Sequence, residues 1–420
     1  DDVRLYKEMK NYTQYLAEAQ NTHMEHLEDI VFDGGVDGAR QALTFLQSMR
    51  NSLSGWSKRK INATIKWDGA PAIFVGNDPS DGKFFVAKKG IFNKNPKVYK
   101  TDAEIDADTS GDLSVKLKAA LKHLRGLRID GVIQGDFLYT ANDLKTATVD
   151  GIKYVTFHPN TIVYAVPYDS ALGKKIRRST MGVVWHTRYS GRTFESMSAS
   201  YGVNVKKLGN INNVWMADAD YDDVSGSALM TDSETKAVTK AMSNAGKVFR
   251  KVNARSLNQI ASNAMLNQLI KQYQNSMIRG SGLMIKNPTA HAKGLVNYLL
   301  AWEKKELAKR KTERGKGSFA LKFKPVKEWM SNTPLGQISA MYALQMYIIE
   351  AKLLIIKKMN QAAKLKTFLK TNRGWKITGE EGYVAIDNIG GAVKLVDRLE
   401  FSYANFSADV IKGWQNDSRK

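Results

Sequence analysis

The chain has 420 residues, 43% hydrophobic and 25% charged, an ordinary soluble composition with length for roughly two or three domains and a sizeable core. Its 63 Lys and Arg against 41 Asp and Glu leave a formal charge of +22, which favours a polyanionic partner because each phosphate neutralised by Lys or Arg releases condensed counterions. Cysteine is absent, which excludes disulfides and thiolate metal sites and fits a reducing cytosol.

In chain order, the first zone (1–55) reads as helical and polar, with no secretory signal at Asp1-Asp2-Val3-Arg4. Asn21 or Thr22 is a candidate cap before a helix through His23–Leu27, and a second helix is expected after the turn Asp33–Gly38. That glycine-rich turn suits either a phosphate at a helix N-terminus or a tight connection capped by Asp37. The second zone (56–216) is strand-rich. A β-branched run, Ile61–Ile65, closes on Lys66-Trp67-Asp68-Gly69 and a new strand starts at Ala72, so Lys66 is expected where two strands meet at a turn. Val86–Phe92 carries Lys88 and Lys89 before Gly90; Val132–Tyr139 carries Asp136 after Gly135; Thr161–Pro167 alternates around Tyr164, with Phe157 and Tyr168 close by.

The third zone (217–372) has helical apolar spacing over Ala237–Val252, Leu257–Met277 and Gly294–Leu307. Between Glu303 and Lys316, the cations Lys304, Lys305, Lys309, Arg310 and Lys311 would form a basic helix face, suited to a nucleic-acid backbone or simply solvated. The most apolar segment, Ile338–Met359, is interrupted by Gln345, Glu350 and Lys352, and reads as a buried helix rather than a membrane span. The last zone (373–420) is expected to return to strands. There Glu380-Glu381-Gly382-Tyr383-Val384 and Ala392-Val393-Lys394 make a hairpin across the Asn388–Gly391 turn. Six histidines without metal-ligand spacing, no Gly-x-Ser-x-Gly and no Gly-Lys-Ser/Thr loop argue against a zinc site, a serine triad and a P-loop.

Taken in order, the Lys66, Lys88-Lys89, Asp136, Tyr164, Glu381 and Lys394 segments resemble the motifs of the covalent nucleotidyltransferases, the superfamily of ATP-dependent DNA and RNA ligases and capping enzymes. The resemblance implies an α+β fold: a ligase-type adenylating domain of antiparallel sheets with helices, interrupted by an inserted, mostly helical domain. It also implies Lys66 as the nucleophile that forms lysyl-AMP from ATP. Glu381 and Asp136 would serve Mg2+ or Mn2+, Asp136 also the ribose, Lys88, Lys89 and Lys394 the phosphates, Asp68 and Gly69 the nucleotide turn, and Tyr164 the adenine face.

The sequence departs from that pattern in three ways. Asp136 replaces the usual Glu, Val396 replaces a second motif V lysine with Arg398 as the nearest substitute, and a long insertion separates Tyr164 from Glu381. Two imitations are set aside: Met181–His186 lacks the carboxylate of motif IV, and Leu321–Pro325 follows no Glu-Gly-x-Val strand. About two dozen residues follow Lys394, too few for the OB-fold of DNA ligases and capping enzymes. The expected activity is therefore RNA-ligase-type joining of 5′-phosphate and 3′-hydroxyl ends, with RNA favoured over DNA or a hybrid. The alternatives are a transferase that stops at AMP or GMP transfer and a non-catalytic nucleic-acid-binding protein on the same fold. Phe157–Ile162 and Val393–Phe406 are also similar to uncharacterised proteins of large tailed bacteriophages, which implies a cytoplasmic setting in an infected host.

Overall fold

The computed structural model describes residues 25–56, 63–209, 211–221, 229–281, 284–362, 365–386 and 392–416. Three sheets carry the strands. The first joins β1 (Ala63–Lys66), β13 (Gly382–Ile386) and β14 (Ala392–Leu395) in the order β1-β13-β14, so strands more than 300 residues apart in sequence are neighbours. The second runs β10 (Val214–Asp218), β8 (Met181–Ser190), β4 (Val132–Thr140), β2 (Ala72–Asn77), β3 (Phe84–Ala87), with β9 (Ser198–Tyr201) beside β8. In it β10 runs parallel to β8 and the other pairings are antiparallel. The third is antiparallel in the order β12 (Gly374–Ile377), β11 (Lys366–Thr371), β7 (Ile162–Pro167), β6 (Ile152–Phe157), β5 (Lys145–Val149).

Alternation along β4 decides what each face of the second sheet does. Ile133 and Phe137 enter a core with Leu117 and Leu121 of α4 (Gly111–His123), which packs on that face after α3 (Asp102–Asp108). Gln134 and Asp136 therefore point to the opposite face, where Gln134 accepts from the Tyr189 hydroxyl and Asp136 feels Lys66 of β1 and Glu381 beside β13. A short helix, α5 (Ala171–Arg177), follows β7.

The helical body comprises α1 (Ile30–Asp33), α2 (Gly35–Leu53), α6 (Asp232–Phe249), α7 (Ala254–Ser262), α8 (Ala264–Ser281), α9 (Pro288–Ala308), α10 (Glu313–Asn332) and α11 (Leu335–Met359); α12 (Arg398–Phe406) follows the last strand. One continuous core runs from Phe45, Ala241 and Ile348 in these helices to Ile65, Tyr164 and Tyr383 in the sheets. Leu335–Ala362 is long and apolar enough to cross a membrane, yet 56% of its most apolar window is buried inside the protein. Lys352 in that helix is fully buried against Glu28, at 2.8 Å.

Several expectations are corrected. The single helix expected over Leu257–Met277 is two, broken at Asn263, whose Oδ1 accepts from the Leu266 N–H at 3.1 Å and opens α8 as a cap. Residues 366–371, assigned to the helical zone, form β11, and the chain end is not all strand: Asp397 accepts from the Leu399 and Glu400 N–H groups and starts α12. The glycine-rich turn fits neither expectation: Asp37 lies inside α2 rather than capping it, and the Val36 N–H at the helix start donates to Asn258 Oδ1 at 2.9 Å. The Asn21 or Thr22 cap and the Asn388–Gly391 turn lie outside the described residues.

Candidate active site

Backbone register alone puts two lysines on one face of the first sheet. Thr64 opposes Val384, Val384 opposes Lys394, and Lys66 is two residues beyond Thr64, so Lys66 and Lys394 project from the same side. Lys66 opposes Gly382, and its Nζ bonds the Glu381 carboxylate, whose side chain is only 9% exposed while Lys66 keeps 33%. Gly382 is required there: a Cβ would stand 2.6 Å from Val396 Cγ2 and 2.7 Å from the Leu395 carbonyl oxygen. Gly69 does the same for the turn, where a Cβ would fall 2.4 Å from Asp136 Cβ.

Asp136 closes the pocket from the second sheet. Burial pushes its carboxyl up to about 8 against the pull of Lys66, with Glu381 and Asp68 acting in the same direction as burial. Glu381 is likewise raised by burial, to about 7, against the pull of Lys66. The Lys394 ammonium is pushed below the usual lysine range by burial and then by Lys66, with Lys89 adding to the effect. Lys89, Lys394, Lys66, Glu381 and Asp136 thus share one electrostatic environment.

Four roles expected from the sequence are corrected by the side chains. The Tyr164 ring is fully buried between Trp67 at 5.0 Å and Phe157 at 5.3 Å, and its hydroxyl accepts the Asp68 N–H at 2.7 Å, so it supports the turn and offers no face to a base. Neither competitor replaces it: Phe157 is buried in the same stack, and Tyr168 is covered by Lys153 and Arg177 at 4.1 and 3.9 Å. The Asp68 carboxylate is taken up by Asn160, by Thr161 through N–H and hydroxyl, and by the Ile162 N–H, all at 2.6 Å, so it fixes the turn against β7. Lys88 turns aside to Asp108 at 3.1 Å. Arg398 opens α12 and pairs with Asp29 at 3.0 Å, leaving Val396, itself 2% exposed, as packing beside Gly382.

The imitation motifs resolve differently. Leu321–Pro325 lies within α10 and cannot be a strand. Met181–His186 begins β8, pairs with β4, and brings in a group that sequence reasoning missed: His186 Nε2 lies 3.8 Å from Asp136 Oδ2, with Nδ1 2.7 Å from Thr187 Oγ1. Burial, then Lys66, pushes this imidazole down to about 4, so it is neutral at pH 7. The signal was alternation. His186 falls on the opposite face from the core residues Val183 and Trp185, the same phase that turns Asp136 of β4 toward Lys66.

In the basic run, Lys304, Lys305, Lys309 and Lys311 are exposed at the end of α9 and in the link to α10. Arg310 is engaged locally: it bonds Glu306 and lies 4.2 Å over the Phe319 ring.

The fold and site define an α+β protein with a lysine–carboxylate pair at the junction of two sheets, a second lysine on the neighbouring strand and a desolvated carboxyl opposite. The chain belongs to a family of unknown function, DUF6267, whose model matches residues 21–410. No curated protein and no solved structure matches it.

Proposed function

We propose that the protein is an ATP-dependent polynucleotide ligase of RNA-ligase type, acting through a lysyl-AMP intermediate on a ligase-type adenylating fold with a helical insertion. One observation carries the reading: Lys66 on β1 bonds Glu381 at the start of β13, with Lys394 projecting from the same face. A nucleophilic lysine must first lose its proton, and a buried carboxylate in direct contact, with a pKa near 7, is suited to receive it.

In the first step Lys66 Nζ attacks the α-phosphorus of ATP. An N–P bond forms, the bond to the bridging oxygen breaks, pyrophosphate leaves, and the ammonium proton passes to Glu381. A 5′-phosphate oxygen then displaces Lys66 and takes the AMP; a 3′-hydroxyl attacks that 5′-phosphorus, AMP leaves, and the strand is sealed. Lys394 and Lys89 supply positive charge to the phosphates.

Among the described residues no three metal-ligating groups converge to hold an ion by themselves. Mg2+ at nucleotide sites, however, takes one or two carboxylates and completes its shell from water and phosphate. Asp136 fits that demand, as a desolvated carboxyl whose ionised form gains from a cation, while Glu381, already bonded to Lys66, is left to receive the proton; Mg2+ or Mn2+ held by Asp136 would neutralise charge developing on the phosphates.

The test is incubation with α-labelled ATP or GTP and a divalent ion, followed by denaturing electrophoresis and peptide mapping. Label from ATP is expected on Lys66 and is lost in Lys66→Ala. No label on the wild type with either ion, or label that persists in the variant, rejects the assignment.

A further inference from the structure

Trp56 is 67% exposed, at the end of α2 and ten residues before Lys66. An exposed indole on a loop end is usually free to reorient, but this one is held. The Arg50 guanidinium lies 5.2 Å from its ring centroid, and Arg50 is itself fixed by Asn51 Oδ1 at 2.8 and 3.1 Å and by Thr239 Oγ1 at 3.3 Å. Beside the indole is a groove of about 410 Å³, whose other wall is one face of α6: Asp232, Thr235, Lys236, Thr239, Lys240 and Ser243. Lys236 and Lys240 are exposed and one helical turn apart, so their ammonium groups reach the same side of the groove. With Arg50, three cations stand against the single lining carboxylate, Asp232.

We propose that this groove is a single-stranded nucleic-acid subsite in which a base stacks on Trp56 and the adjoining phosphates lie along Lys236 and Lys240. The proposal rests on the reading of a nucleic-acid substrate and adds where the strand is gripped away from its reacting end. An aromatic face with flanking cations binds any base by stacking and the backbone by charge, without reading sequence. The formal charge of +22 on the chain adds to the preference for a polyanionic strand. The two walls are also fastened to each other, since the Met230 N–H just before α6 donates to the Leu53 carbonyl at the end of α2 at 2.7 Å.

The experiment is fluorescence anisotropy of an end-labelled, 5′-phosphorylated 12-nucleotide uridine strand, its abasic counterpart and a blunt duplex, titrated over a range of NaCl with the full-length protein. Trp56→Ala is expected to weaken binding of the uridine strand roughly 5- to 100-fold, the loss typical of one stacked base. Removal of the bases should cost the wild type more than it costs Trp56→Ala. The Lys236→Ala/Lys240→Ala variant should lower the slope of log affinity against log salt by about 1.4, for two phosphates released. Thermal melts establish that each variant is folded.

The subsite is overturned if the wild type does not bind the single strand, if Trp56→Ala binds it as tightly as wild type, or if base removal costs both proteins equally. Labelling of Lys66 by ATP is scored in the same preparations and needs no strand. Absent labelling with Trp56-dependent binding defeats the ligase reading and leaves the subsite; normal labelling with Trp56-independent binding does the reverse.

Discussion

The carboxyls around Lys66 give the site its pH dependence. In the proposed reaction Glu381 takes the lysine proton only when ionised, and burial raises it to about 7, so lysyl-AMP formation should rise with pH through that value and level off above it. Charging rates from pH 5.5 to 9 test this; Glu381→Gln should lower the rate about 10²-fold or more and remove the inflection near 7. Its neighbour Glu380 has a different consequence. It is 7% exposed, its Oε2 has no hydrogen-bond partner among the described residues, and burial pushes its carboxyl up to about 8. A carboxyl raised in the folded state stabilises most below its unfolded pKa, and that contribution is lost as pH rises through 8. Glu380→Gln should therefore leave stability at pH 5 nearly unchanged and raise it by about 1–3 kcal/mol at pH 8.5, measured by urea unfolding. Lys66, Glu381 and Lys394 were picked out by residue identity and order, and the fold brings the three to one pocket. Tyr164 was misread because an aromatic in an alternating strand looks the same whether its ring is free or sandwiched, and only the positions of Trp67 and Phe157 decide it.

At the level of elements, the sequence was clearest where local signals agreed with tertiary demand. β1, β4, β7, β13 and β14 all fall on the expected strand segments to within a residue or two, since alternation and β-branching coincide with burial. It was least clear where one side chain interrupts a continuous pattern, as Asn263 does between α7 and α8, or where a cap starts a helix that apolar spacing does not announce. Asp397 is such a cap, accepting from two backbone N–H groups immediately after β14. Asp397→Ala should cost about 1 kcal/mol in chemical denaturation. It should also raise amide exchange through α12 while sparing α9, because the loss is confined to the end that Asp397 closes. The helical character of the third zone was visible in its apolar spacing, but its end was not: β11 looks like the end of a helical stretch until its pairing with β7 gives it a sheet to join.

Across the whole molecule, buried ion pairs link the helical body to the strand that bears Lys394. Lys352 of α11 holds both oxygens of Glu28 at 2.8 and 2.9 Å, and Gln345 donates to the Glu28 carbonyl at 2.8 Å. Next to it, Arg398 of α12 pairs with Asp29 and bonds Asn275 of α8 at 2.6 Å. Lys352→Met should destabilise the protein by about 3–5 kcal/mol, because it leaves the buried Glu28 carboxylate with only the more distant Arg398 guanidinium at 3.7 Å. Adding Glu28→Gln should recover much of that loss in the same unfolding assay. Recovery would mark the pair as a device of specificity rather than net stability, a distinction no sequence pattern carries, since the partners are separated by 324 positions.

The segment just before Glu28 has one more effect. The Leu27 N–H donates to the Lys394 carbonyl at 3.2 Å and the Lys394 N–H to the Glu25 carbonyl at 3.0 Å, so residues 25–27 run alongside the outer flank of β14. Without them that flank would present open donors and acceptors to any extended chain in solution. This short stretch is thus a selvedge on the three-stranded sheet. A shortened protein beginning at Ile30 would keep every residue of the lysine–carboxylate pocket and still be prone to self-association through the strand that carries Lys394.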